Sequence, residues 1–161
     1  MTDAQRVWIV QLNPDHTHMS IKLEHPGGLI PLSLGKRPAA IPAVGDKIWL
    51  WRAKGTKHQS MPGVVAWGEV REAFKGAEVE QFRRAWRNTV QADEVHDRIW
   101  VQLVSIADKT VVPPDTLMEK HLRKEIEEIM RYRQRTLFAV PPPADLILTK
   151  AWAGIRSRKP V

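Results

Sequence analysis

The sequence predicts an α+β domain, in which short apolar strands rich in tryptophan alternate with amphipathic helices. Three observations carry this. Val44-Gly45-Asp46-Lys47-Ile48-Trp49-Leu50-Trp51-Arg52 and Gly63-Val64-Val65-Ala66-Trp67-Gly68-Glu69-Val70 read as two strands joined by the polar stretch 56–62. Arg6–Leu12 is apolar on both faces and ends at Asn13-Pro14, the pattern of a strand inside a sheet. Apolar residues recur at helical intervals in 77–90, 115–130 and 144–155.

Taken in order, the first strand puts Trp8, Val10 and Leu12 on one face and Val7, Ile9 and Gln11 on the other. Residues 15–44 read as a long irregular connection with one helical turn near Ser20–Glu24. His16 and His18 form an H-x-H pair with His25 nearby, but no third ligand at metal spacing accompanies them, and no metal or cofactor is expected. In the next strand Trp49 and Trp51 share one face, and Ile48 and Leu50 the other. In Gly63–Val70 strict alternation groups Trp67 with Val65 and Glu69, opposite Val64, Ala66 and Val70. A helix over 77–90 would pack through Val79, Phe82, Trp86 and Val90. Val95–Ile106 resumes strand alternation, and Pro113-Pro114 ends it. Asp115 is a candidate N-cap for a helix with Leu117, Met118, Leu122, Ile126, Ile129 and Met130 on its apolar face. A last helix over 144–155 packs through Leu146, Leu148, Trp152 and Ile155, and a basic tail from about 156 is expected to fray.

With 161 residues, one domain with its own core is expected over 1–161. The absence of cysteine excludes disulfides and thiol catalysis, and no apolar run or leader pattern suggests a membrane, so a soluble cytoplasmic protein is expected. The net charge is +7, and residues 120–161 hold ten Lys/Arg against four Asp/Glu, which leaves +1 for residues 1–119. Such a skew fits either a solvated basic surface or a polyanionic partner, nucleic acid above all. Seven of the eleven aromatic residues are tryptophan, which serves both as core and as stacking surface. No phosphate-binding glycine motif or nucleophile elbow is present. His96 beside Asp93, Glu94 and Asp97 has acid–base chemistry available, although polar residues at a strand start account for it more simply. The sequence argues for a binder.

Several of these pieces, in order, resemble the EVE domain family of the PUA-like superfamily, related to the YTH and ASCH domains. They are Val7-Trp8-Ile9-Val10 with Asn13-Pro14, the turn Gly35-Lys36-Arg37, the segments Val44–Arg52 and Gly63–Val70, and Gln134-Arg135-Thr136-Leu137-Phe138. The last departs from the family's pattern, with Arg135 and Leu137 in place of Gly and Asn. The resemblance implies a partly closed β-barrel flanked by helices, with a pocket for one modified base of DNA, or of RNA. It makes Trp51 and Trp67 the candidate walls, Trp8 a wall or its support, and Asn13 the reader of the base edge. Lys36, Arg37, Arg52, Lys54, Arg133 and Arg135 become candidate phosphate contacts. The chain looks closer to the versions attached to modification-dependent restriction systems than to the better-known bacterial and eukaryotic members, and this resemblance suggests a nuclease or other effector protein as partner. Two rivals stand beside this reading: a PUA-type RNA-binding module acting on tRNA or rRNA, and an ASCH-like modified-nucleoside hydrolase using Lys47 or Lys54 with Glu69.

Overall fold

In a computed structural model, which describes residues 5–111 and 136–161, the strands form one seven-stranded sheet. The elements are β1 (Val7–Leu12), α1 (Met19–Leu23), β2 (Leu29–Ser33), β3 (Lys47–Arg52), β4 (Gly63–Gly76), a 3₁₀ helix (Glu80–Ala85) and α2 (Thr89–Asp93). They continue with β5 (His96–Val111), β6 (Leu137–Ala139), α3 (Pro142–Ala153) and β7 (Ser157–Arg158). Strand order is β2-β5-β4-β3-β1-β6, with β7 added to β5. β1 and β3 run parallel, and the other pairs are antiparallel.

Apolar residues on both faces of β1 and β3 produce two cores. Trp8, Val10, Leu12, Ile48 and Leu50 join Ile30, Leu32, Ile99, Val101 and Leu137 in the larger one. Because this cluster draws on β2 and β6, the two ends of the strand order, the sheet must curl until its edges share an interior; it does not close. Ile9, Trp49, Trp51 and Val64 face outward from it and pack with Phe138, Val140 and the α3 residues Ala144, Leu148 and Trp152. Indole N–H groups fix this second layer, Trp49 donating to Asp145 at 2.8 Å and Trp152 to Ser105 at 3.1 Å. Trp8 donates to the buried Asp46 carboxylate at 3.0 Å, which also accepts the Arg6 and Ala43 amides. That carboxylate ties β1 to the turn before β3, where Gly45 holds a φ of 89°.

The structure corrects several expectations. The alternation predicted for β4 is broken, because a bulge against β3 lets Val64 and Ala66 flank the extra residue Val65, opposite the adjacent Trp51 and Leu50. Val64 and Trp67 therefore fall in the α3-side core, and Val65, Ala66 and Val70 in the barrel interior. The connection 15–44 contains the strand β2, whose Pro31 and flanking glycines hide it from pattern reading; as the sheet's edge strand it tolerates a proline. The helix expected over 77–90 is two short pieces, the 3₁₀ helix and α2, separated by Trp86 in an extended conformation (φ −85°, ψ 133°). Val90 is exposed, while Asn88 caps α2 by accepting the Val90 amide. On α3, Leu146 is exposed and Leu148 and Trp152 are buried. The basic tail pairs with β5 through Ser157 and Arg158. The Pro113-Pro114 break and the helix expected after Asp115 lie outside the described residues.

Strand β4 crosses β5 so closely that a Cβ on Gly68 would lie 2.3 Å from the Gln102 carbonyl oxygen. Gly68→Ala is expected to lower stability by about 1–3 kcal/mol, seen as a reduced urea midpoint at unchanged slope.

Candidate functional site

The sheet's open side carries a cavity of about 440 Å³. Its lining comes from both flanks of the gap, with Gln11, Leu12 and Asn13 at the end of β1, Ser33 and Gly35 at the end of β2, and Thr136 before β6. Trp86, Gln91, Glu94 and His96 supply another wall, and His16 and Thr17 complete it among the described residues. A second cavity of about 380 Å³ shares Gly35 and Thr136 with the first and is bordered by Lys36, Arg37 and Pro38. A concave space of this size, lined by polar side chains around one indole, suits a small planar ligand.

The indole of Trp86 is held from behind. Its N–H donates to Glu78 Oε2 at 2.7 Å. Glu78 is a buried carboxylate, with Lys22 Nζ at 3.8 Å and Arg98 Nη1 at 3.4 Å from the same oxygen. Lys22 also donates to the Pro31 carbonyl at 2.9 Å, and Arg98 to the carbonyls of Gly76 and Glu94. Burial pushes the Lys22 ammonium down to about 8, with Glu78 opposing, and lowers the Arg98 guanidinium for the same reason. Both cations also lie over the Trp86 ring, Lys22 Nζ 5.8 Å and the Arg98 guanidinium carbon 5.6 Å from its centroid. Arg98 sits in β5 and Lys22 in α1, so one buried charge cluster joins sheet, helix and cavity wall.

The polar wall is a chain of hydrogen bonds. Ser33 Oγ lies 2.6 Å from His96 Nδ1, and His96 Nε2 lies 3.1 Å from Glu94 Oε2. Lys36 Nζ reaches the same Glu94 oxygen at 3.3 Å. These partners, His96 first and Lys36 next, hold the Glu94 carboxyl below its ordinary value. A hydrogen on Nε2 lets His96 donate to Glu94, while Nδ1 faces the Ser33 hydroxyl. The order Ser–His–carboxylate is that of a nucleophilic triad, but Ser33 Oγ also accepts the Gly35 amide at 3.2 Å, as a turn-locking hydroxyl does.

Asn13 stands at the mouth. Its Oδ1 accepts the Asp15 amide at 2.9 Å, which orients the side chain and leaves Nδ2 without a protein partner among the described residues. Asp15 in turn clamps the loop after β3, accepting the His58, Thr56 and Lys57 amides and the Thr56 hydroxyl. Those donors, His58 foremost, hold the Asp15 carboxyl well below the usual carboxylate range.

Of the residues expected at the site from sequence, Asn13 lines the first cavity, and Lys36 and Arg37 border the second. Neither cavity has Trp8, Trp51 or Trp67 in its lining. Strand parity is the reason: Trp8 turns into the barrel interior, Trp51 is 2% exposed in the α3-side core, and Trp67 packs against that core with Lys47 Nζ 5.0 Å over its ring. Arg52 donates twice to the Met61 carbonyl, and Lys54 is exposed beside the same loop. Arg133 and Arg135 lie outside the described residues. The acid–base pair of the hydrolase reading is not assembled at either cavity: Lys47 is ion-paired with Asp145 at 3.3 Å, and Lys54 and Glu69 line neither. Sequence reading assigned Trp86 to a helix face; the one signal for another role was its place among polar residues at 87–94.

No family model and no curated protein matches the sequence. Solved structures do match its shape. A hypothetical protein from Leishmania major superposes with a TM-score of 0.59 at 17% identity, covering 93% of this chain and 96% of that one. Human THYN1 protein, in complex with DNA containing 5-methylcytosine, gives 0.56 at 16% identity, over 91% and 98% of the two chains. A Pseudomonas putida protein gives 0.58 at 15%, over 90% and 98%. The chain shares the fold of these structures. Among the described residues, no helix is long and apolar enough to cross a membrane.

Two outcomes are expected from the charge cluster. Glu78→Ala leaves two buried cations without their acceptor and is expected to cost about 3–5 kcal/mol in denaturant titrations. Lys22 loses its proton near pH 8 when folded but near 10.5 when unfolded, so the unfolded chain binds more protons across that window. Wild-type stability relative to Lys22→Met should therefore climb from pH 8 to 10.5, by on the order of 3 kcal/mol in total. A flat difference across that range would mean that the folded ammonium is not desolvated.

Proposed function

We propose that the chain is a non-catalytic reader of a modified nucleic-acid base, which enters the 440 Å³ cavity flipped out of its strand. The observation that carries the reading is Trp86: an indole fixed by a buried carboxylate, forming the wall of a base-sized cavity whose neighbour is rimmed by Lys36 and Arg37. A half-buried indole offers stacking surface to any base, worth on the order of 1–3 kcal/mol. A methyl or hydroxymethyl group gains further affinity by leaving water, about 1 kcal/mol for a methyl-sized group. Lys36 and Arg37 would meet the flanking phosphates; Arg52 and Lys54, with Arg133 and Arg135, extend the proposed basic track. The complex of the similarly folded human protein with 5-methylcytosine DNA supports DNA as the carrier. Trp51, Trp67 and Trp8 then support the sheet behind the cavity. A nuclease or another effector would act on the site so marked, and the cytoplasm is the proposed location.

Fluorescence anisotropy with matched DNA and RNA oligonucleotides at two salt concentrations tests this. They carry cytosine, 5-methylcytosine, 5-hydroxymethylcytosine, adenine or N6-methyladenine. A preference of about tenfold for one modified base, about 1.4 kcal/mol, is expected. Trp86→Ala should remove that preference while the melting transition remains cooperative. Equal, salt-sensitive binding to every oligonucleotide would instead leave a shape-and-phosphate RNA module.

A further inference from the structure

Resting on the reader reading, we infer that the cavity selects a base presenting an exocyclic amino group, with Glu94 as the acceptor of its N–H. Both donors to the Glu94 carboxylate, His96 Nε2 and Lys36 Nζ, act on Oε2. Oε1 receives no hydrogen bond among the described residues, and the side chain, one third exposed, lines the cavity. Because His96 and Lys36 stabilise the anion, Glu94 offers an acceptor and no proton of its own.

Opposite chemistry stands at the mouth. Asn13 Nδ2 is a donor without a protein partner, and the Gln91 amide likewise makes no side-chain hydrogen bond among the described residues. An acceptor-only carboxylate and one or two amide donors complement an edge that reads donor then acceptors. Cytosine has this edge, with its 4-amino group followed by N3 and O2. Thymine and uracil place a carbonyl oxygen where cytosine has the amine, and a carboxylate facing that oxygen leaves both without a hydrogen and repels. The methyl group is common to 5-methylcytosine and thymine, so stacking and methyl burial cannot separate them; the amino edge can.

The test uses the full chain and four oligonucleotide duplexes with 5-methylcytosine, thymine, cytosine or an abasic residue at one position. Each stands opposite an abasic site, so that the cost of flipping does not depend on a pairing partner. Wild type is expected to bind the 5-methylcytosine duplex at least about tenfold more tightly than the thymine duplex. Glu94→Gln, whose amide presents either a donor or an acceptor, should bring the two within about threefold. Lys36→Ala should weaken binding to all four while keeping the ratio, which separates loss of the carboxylate from loss of its neighbour. If 5-methylcytosine and thymine bind alike, and both better than cytosine, the amino-group inference fails while the reader reading stands. If Glu94→Gln stays folded and keeps the full preference, Glu94 is not the selector and the inference fails. If no base exceeds the abasic duplex, the inference fails for cytosine in DNA; the reader reading itself fails only if the adenine, hydroxymethylcytosine and RNA oligonucleotides also show no preference.

Discussion

A single carboxylate, that of Glu78, holds the parts of this structure that matter for its site. It is buried between the Lys22 ammonium and the Arg98 guanidinium and accepts the Trp86 indole N–H. The cations come from α1 and β5, and the chain on which Glu78 sits leads directly into the 3₁₀ helix. Burying such a cluster yields little net stability, because desolvation offsets most of the attraction. What it supplies is definition. Only one placement of these elements satisfies all three charges, and that placement sets Trp86 at the cavity.

The tryptophans divide the labour that one cavity wall alone would not need. Trp8, Trp49 and Trp152 each bury their rings and satisfy the indole N–H on Asp46, Asp145 and Ser105. Trp100 packs with Phe74 and Phe82, and Trp51 is wholly internal. These rings make two dense layers on a sheet whose bulges and lack of closure would otherwise leave it loose. Trp86 differs in lining the cavity while its ring is held by the charge cluster.

The cavity itself is a consequence of how the sheet fails to close. β2 and β6 lie at opposite ends of the strand order yet contribute to one interior. Between them stay the ends of β1 and β2, where main-chain groups and short polar side chains face a gap that no strand fills. The Asx turn of Asn13 and the clamp of Asp15 on the loop after β3 stiffen one rim. The Ser33–His96–Glu94–Lys36 chain stiffens the other. A site so braced presents fixed donors and acceptors, the requirement for reading one chemical edge against another.

Local pattern determined much of this molecule. Alternation over Arg6–Leu12 and Lys47–Arg52 correctly assigned which residues face each side of the sheet, because both strands are regular there and both faces are apolar. The basic turn at Lys36-Arg37 and the polar Asn13 were visible as short-range signals and lie at the cavities. Tertiary structure decided the rest. A one-residue bulge at Val65, where β4 pairs with β3, shifts the parity of β4, and periodicity carries no mark of it. The strand β2 exists because β5 offers it an edge, despite Pro31. Trp86 looked like one more apolar position on a helix; its extended backbone and its place at the cavity follow from Glu78, Lys22 and Arg98, residues up to 76 positions apart in the chain that meet only on folding. Sequence spacing encodes which face a side chain takes within its own element. Which cavity it reaches depends on charges and strand edges supplied by distant segments.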